Sequence, residues 1–100
     1  MAFQMRSKQG GVHYAPPGVS FSALRFWKSP RTGVSYPVEM NVQAKDRILR
    51  LVPLMDDQEL DARASTGTIY WEGAVRAFER DNEVGRGYLE LTGYWKPMKL

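Results

Sequence analysis

The sequence predicts a mainly β protein, an antiparallel meander of about five or six strands that forms part of a barrel or a strongly curved sheet. Two observations carry this prediction. Residues 35–45 alternate between apolar and polar side chains, which is typical of a half-buried antiparallel strand. Two further segments, 68–79 and 84–95, are rich in aromatic and aliphatic residues and flank a short turn. The length of 100 residues indicates one domain.

The first 19 residues are predicted to form a loosely structured arm, which precedes a β domain over 20–100. The arm has no periodicity, and the two prolines of "APPG" (15–18) remove two backbone donors. Only a short strand near Val12–Tyr14 is expected within it.

Three strands are predicted in the first half of the β domain. "SFSALRFW" (20–27) is rich in aromatic residues, and "KSPRTG" (28–33) has the composition of a turn. The alternating strand 35–45 follows. "ILRLVPLM" (48–55) is apolar on nearly both faces and is predicted to be central. Pro53 should lie near its end, because proline cannot donate a hydrogen bond to a sheet.

The acidic segment after this strand is predicted to form one or two helical turns near 56–64. Asp56 or Asp57 can accept the free backbone donors at a helix start. The alternation of Asp57, Glu59 and Asp61 faintly resembles a calcium loop, but the glycine and the terminal glutamate of such loops are missing. Helix capping is the better interpretation, and no metal site is predicted.

The last predicted hairpin carries Glu72 and Glu90, and its register decides what these glutamates face. A one-residue slip exchanges the two faces of a strand. A two-residue turn that pairs Arg80 with Glu83 would mix apolar and polar side chains on both faces. A three-residue loop that places Arg80 opposite Val84 separates them, and this register is preferred.

In the preferred register, Trp71 lies opposite Gly93 on the apolar face. The other face carries six candidate ligand-binding residues: Tyr70, Glu72, Arg76, Tyr88, Glu90 and Tyr94. Two interpretations of this polar face stay open. It is a solvent-exposed ladder of charged and tyrosine pairs, which the pattern alone favours, or it is the inner wall of a barrel that offers hydrogen bonds to a ligand.

Four ordered blocks resemble one known family over residues 20–95: "SPRTGVSYPV" (29–38), "PLMDDQEL" (53–60), "YWEGAV" (70–75) and "GRGYLELTGY" (85–94). They look like the carboxy-terminal part of the carotenoid 1,2-hydratase family, which includes AttH-like, lipocalin-like proteins described as predicted hydrolases. The resemblance implies a lipocalin-like partial barrel that holds an apolar small molecule. The chain is expected to be truncated relative to that family, so the resemblance does not imply catalysis.

Catalysis is a minority interpretation of these residues. Glu72 or Glu90 can act as a general acid only if it is protonated and dry, and the nearby Arg76 and Arg86 favour the charged form. The single histidine, His13, lies in the predicted arm, and no serine lies in a G-x-S-x-G motif. The catalytic residues are therefore unknown, with Glu72 and Glu90 as the candidates.

The composition excludes several classes of function. The absence of cysteine excludes disulfides, thiolate catalysis and cysteine-based zinc sites. The net charge of +3 is spread over 14 basic and 11 acidic residues, so no nucleic-acid partner is predicted. No apolar run approaches the roughly 20 residues of a membrane span. The start "MAFQMRSKQGG" lacks the apolar stretch of a signal peptide, so a cytoplasmic location is expected, whereas export of full-length relatives stays open.

The sequence therefore predicts a small module that binds an apolar small molecule without catalysis and without a cofactor. Two alternatives stay open. One is an enzyme of the hydratase or isomerase type that uses Glu72 or Glu90 as an acid. The other is an oligomeric remnant of a larger two-domain protein that has no ligand. A homodimer is expected, because a partial barrel exposes unpaired strand edges.

Overall fold

The computed structural model describes residues 2–7, 10–14, 18–44 and 46–95, which contain eight strands in one antiparallel sheet. The strands are β1 (Ala2–Ser7), β2 (Gly10–Tyr14), β3 (Ser20–Lys28), β4 (Ser35–Ala44), β5 (Arg47–Pro53), β6 (Glu59–Ala62), β7 (Thr68–Glu79) and β8 (Asn82–Leu91). Their order is β2-β1-β8-β7-β5-β4-β3, and β6 pairs with β7 beside this path. The predicted mainly β, antiparallel curved sheet is confirmed. The described residues contain no helix with the length and apolarity needed to cross a membrane.

Strand β7 organises the sheet because two strands share one of its edges. β6 pairs with the first part of β7, where Glu59 lies opposite Trp71. β5 pairs with the later part, where Pro53 lies opposite Val75. The connection between them, residues 54–58, is therefore held against the middle of β7, while β8 occupies the other edge.

The helix predicted near 56–64 is wrong, because this segment contains β6 and a turn instead. The carboxylates of Asp56 and Asp57 do not cap a helix but bind Arg25 and Arg31. The edge of β7 offers a row of backbone donors and acceptors to this segment, which a short helix would leave unpaired. Strand pairing therefore prevails over the local capping signal.

Two strands, β1 and β2, lie within the first 19 residues, where the sequence predicted a loosely structured arm. The short strand expected near Val12–Tyr14 falls within β2. β1 pairs with β8, and Phe3, which lies opposite Leu89, is completely buried. Burial of this ring and pairing with the edge of β8 explain why the segment is extended.

The hairpin β7–β8 is shifted by two residues from the predicted register. Trp71 lies opposite Leu91 rather than Gly93. In place of the three-residue loop, the hairpin has a tight turn at Arg80 and Asp81 and a register shift between Ala77 and Phe78, just before the turn. Because the shift is even, the side chains of residues 71–77 and 85–91 stay on their predicted faces.

The hydrophobic core lies on one face of the sheet, which we call the inner face. Its fully buried side chains come from five strands and include Phe3, Tyr36, Val38, Met40, Val42, Leu49, Leu51, Trp71, Val75, Ala77, Leu89 and Leu91. One sheet excludes water from its own face only if it curves around it. The outer face carries the alternate, mostly polar side chains.

Candidate functional site

A buried carboxylate, that of Glu59, is the centre of the most elaborate polar arrangement in the described part of the chain. Its side chain is 2% exposed. Ser29 Oγ, Thr32 Oγ1 and Tyr36 Oη donate to its oxygens at 2.6, 2.7 and 2.7 Å. We call these four residues the Glu59 cluster. Because Glu59 pairs with Trp71, its carboxylate lies on the inner face.

The loop between β3 and β4 presents the hydroxyl groups of Ser29 and Thr32 to Glu59, and β4 presents that of Tyr36. The backbone closes through hydrogen bonds from Ser29 N to Val34 O at 2.8 Å and from Gly33 N to Ser29 O at 2.9 Å. Gly33 has a φ of 75°, which few other residues adopt without strain. Ser29 Oγ also accepts from the backbone of Arg31 and Thr32. The residues of "KSPRTG" (28–33) thus form a closed turn that holds the hydroxyl groups of Ser29 and Thr32 in position.

Hydrogen bonds keep the Glu59 carboxylate charged. Burial by itself raises the pKa of Glu59, but the hydroxyl donors of Ser29, Thr32 and Tyr36 and the charge of Arg31 outweigh it, so the pKa is lowered. Burial, together with the Glu59 charge, raises the pKa of Tyr36. The proton therefore stays on the phenol. The cluster can accept hydrogen bonds and hold its partners in place, but it is not a proton donor near neutral pH.

Two arginines tie the β3–β4 side of the sheet to residues 54–58. Arg31 binds Asp57 through two hydrogen bonds and lies 3.3 Å from Glu59. Arg25 binds Asp56 in the same bidentate manner at 2.9 and 2.8 Å. These hydrogen bonds lower the pKa of both aspartates. The pairs are well exposed, so they contribute more to orientation than to stability.

Beside the Glu59 cluster, the side chain of Gln58 makes the hydrogen bonds to β7 that a neighbouring strand would otherwise make. Its side-chain amide accepts from Ala74 N at 2.9 Å and donates to Ala74 O at 3.1 Å. A methyl group on Gly73 would overlap the Gln58 amide, so glycine is required for this contact. On the same strand, Trp71 Nε1 donates to Asp56 O at 2.8 Å. Residues 54–58, where β5 and β6 leave a gap, are thus fixed by these side chains together with backbone hydrogen bonds from Leu54 N to Ala74 O and from Glu72 N to Gln58 O.

Aromatic rings surround Tyr36 on the inner face. Trp27 stacks on Tyr36 with ring centroids 6.3 Å apart, and Tyr94 packs against it at 6.1 Å in a tilted arrangement. Trp95 also packs against the core. Trp27, Tyr94 and Trp95 are half-buried, and we call them the aromatic rim. The Tyr36 ring contacts this rim while its hydroxyl binds Glu59.

The structure divides the six predicted ligand-binding residues between the two faces. Glu72 lies directly opposite Glu90, and the side chains of neither have a polar partner among the described residues. Five of the six share the outer face: Tyr70, Glu72, Arg76, Tyr88 and Glu90. Tyr88 is 60% exposed, and Arg76 lies 3.8 Å from Glu83. Tyr94 lies beyond the end of β8 and packs on the inner face instead.

The sequence reasoning missed the Glu59 cluster. The alternation of Asp57, Glu59 and Asp61 predicts helix capping, whereas in the structure Asp57 and Asp61 bind arginines and Glu59 is buried. A signal was present, because the blocks "SPRTGVSYPV" and "PLMDDQEL" supply every member of the cluster. What was missing is their contact, which joins residues about 30 positions apart.

Comparisons with known proteins agree with this fold. The family described as AttH-like matches residues 1–94. A crystal structure of a Nitrosomonas europaea protein that carries the AttH designation is similar to the chain, with a TM-score of 0.75 and 47% sequence identity over 91% of this chain. The chain spans 29% of the length of that protein. A comparison with curated proteins finds no match. The chain therefore belongs to the AttH-like family.

Proposed function

We propose that the chain is a β module that binds an apolar small molecule at the aromatic rim, without catalysing a reaction. The observation that carries this proposal is the arrangement of half-buried rings around Tyr36, whose hydroxyl is anchored by a buried, charged Glu59. Rigid aromatic side chains that are partly exposed beside an apolar core are suited to a flat apolar ligand.

The charge of Glu59 supports binding rather than catalysis. Water addition or isomerisation of an alkene requires an acid that is protonated in a dry site. Glu59 is dry, but it is ionised and accepts from three hydroxyl groups. Glu72 and Glu90 lie on the outer face, and Glu90 is exposed. We therefore propose no acid for the hydratase or isomerase alternative.

A titration with the neutral fluorescent probe N-phenyl-1-naphthylamine tests the binding proposal. Trp27→Ala is expected to weaken binding about tenfold, because it removes one stacking surface. Tyr88→Ala removes a ring from the outer face and is expected to change the affinity by less than about twofold. The opposite order of effects would favour the predicted outer-face site. Absence of binding by the unaltered chain would favour the oligomeric remnant without a ligand.

We also propose that two copies associate through the ends of the sheet. In the described part of the chain the order of strands ends at β2 and β3, and unpaired edges invite association. Two irregularities in the pairing of β3 with β4 disfavour simple addition of another strand to β3. The same strand exposes Leu24 and Phe26, which are 47% and 60% accessible, so side-chain packing is the better mode of contact.

Light scattering after size-exclusion chromatography tests this association. The chain is expected to elute as a dimer, and the double variant Leu24→Lys, Phe26→Lys is expected to elute as a monomer. Exchanging Lys28, on the same strand, for glutamate serves as a control and should leave the dimer intact. A monodisperse monomer of the unaltered chain at high concentration would contradict the proposal.

A further inference from the structure

A groove of about 760 Å³ lies on the outer face, away from the aromatic rim. It is formed where the turn after β7 approaches β4 and β5. Its floor combines Phe78 with Ile48, which is 52% exposed. Arg50 lies opposite Phe78 on the neighbouring strand, and its guanidinium carbon is 4.9 Å from the ring centroid. The groove thus contains a flat surface that is apolar and cationic at once.

The positive charge of the groove is only partly neutralised. Arg80 lies in the turn after β7, where its φ is 57°, and it has no hydrogen-bond or ion-pair partner among the described residues. Arg50 lies 3.9 Å from Glu39, which also receives Arg25 at 3.4 Å. Both groove arginines therefore retain donors for a ligand.

Two carboxylates belong to the same groove and limit what it can bind. Glu79 is engaged by Arg47 at 3.0 Å, so its charge is compensated from outside the lining. Asp46 has no ion-pair partner in the described part of the chain, so the groove holds one uncompensated negative charge beside its two arginines. A ligand with one negative charge suits this balance, whereas a second negative charge would meet Asp46.

We propose that this groove binds a planar aromatic molecule with a single anionic group. The ring of the ligand stacks on the Arg50 guanidinium, which itself lies over the Phe78 ring, and the anion accepts hydrogen bonds from Arg80. A charge-assisted hydrogen bond supplies the directional contact, and the aromatic surface supplies the apolar one. The site is independent of the aromatic rim, because it lies on the other face of the sheet.

An NMR titration with naphthalene-2-sulfonate tests the inference, with 2-naphthol as the probe that keeps the rings but is neutral at pH 7. The sulfonate is expected to shift the amide signals of residues 78–82 and to bind more tightly there than the naphthol. Amide shifts confined to residues 27, 94 and 95 would place binding at the rim instead and overturn the inference. The proposal for the aromatic rim is tested separately, by the titration with N-phenyl-1-naphthylamine.

Matched variants test whether the charge of Arg80 is responsible for sulfonate binding. Arg80→Asn removes the cation, and asparagine tolerates the positive φ of this position. It is expected to weaken sulfonate binding about tenfold, while Arg80→Lys retains most of the affinity. Lys28→Asn makes the same charge change at the far end of the β3–β4 pair and should have no effect. An equal loss of sulfonate affinity in Arg80→Asn and Lys28→Asn would show that only the net charge matters. This outcome would contradict the proposed site.

Discussion

Replacement of Glu59 by alanine is expected to lower the free energy of unfolding by about 3–5 kcal/mol, because three hydrogen bonds to a charged group are lost, and this is a large share of the stability of a domain of this size. The side chain is 2% exposed. Its removal leaves the hydroxyl groups of Ser29, Thr32 and Tyr36 without their acceptor in a buried place. Unsatisfied buried donors cost more than the net value of the hydrogen bonds that they lose.

Urea unfolding followed by tryptophan fluorescence measures this loss. Glu90→Ala is the matched control, because it removes an exposed glutamate that lies directly opposite Glu72. Its stability should be unchanged or slightly raised, since like charges that face each other across a sheet repel. If Glu59→Ala and Glu90→Ala unfold at the same urea concentration, the Glu59 cluster has no stabilising role.

The pH dependence of stability gives a second test of the same carboxylate. The folded pKa of Glu59 lies below its ordinary value of 4.5. Its ionisation therefore stabilises the fold fully above that value, and this stabilisation is lost as the pH falls through the folded pKa. Glu59→Gln should be less stable than the unaltered chain near neutral pH and should show a shallower loss on acidification.

The loss of stability at acidic pH does not disappear in Glu59→Gln. Asp56 and Asp57 also have lowered pKa values, because of hydrogen bonds from Arg25 and Arg31, and they contribute with the same sign. The informative quantity is the difference in stability between the two chains from about pH 7 to about pH 3. A difference that stays constant over this range would show that Glu59 is not ionised in the folded protein.

Gly73→Ala is expected to destabilise the protein by about 2–4 kcal/mol, although alanine is ordinarily favoured over glycine in a strand. The added methyl group would overlap the side-chain amide of Gln58. Gln58 would then lose its two hydrogen bonds with Ala74 and the one with Met55 O. Ala74 N would be left without its acceptor, whereas Ala74 O would still accept from Leu54 N.

A double-mutant cycle separates this mechanism from a general strain of β7. Gln58→Ala alone should cost a similar amount, and the double variant Gly73→Ala, Gln58→Ala should be no less stable than Gln58→Ala. Gly18→Ala is the matched control, because nothing lies within 4 Å of a methyl group there. Additive costs of the two changes would show that Gly73 is required for a reason other than Gln58.

Local pattern was sufficient to predict what each segment does by itself. Alternation over 35–45 predicted β4 and its buried face, and the composition of 68–95 predicted the β7–β8 hairpin. The faces of Glu72 and Glu90 were also correct, because side chains alternate along a strand and the actual register differs from the predicted one by an even number of residues. The resemblance of four blocks to a family was confirmed for the AttH-like family.

The tertiary structure decided what local pattern leaves open. Whether 56–64 becomes a helix or a strand depended on the unoccupied edge of β7, which no local signal describes. The burial of Glu59 depended on hydroxyl groups from the loop before β4 and from β4 itself, which lie far from Glu59 in sequence. Periodicity separates a polar face from an apolar one, but it does not say which face becomes the inside of a curved sheet. Here the inner face took the apolar side chains together with one charged carboxylate, because only packing could supply that carboxylate with enough donors.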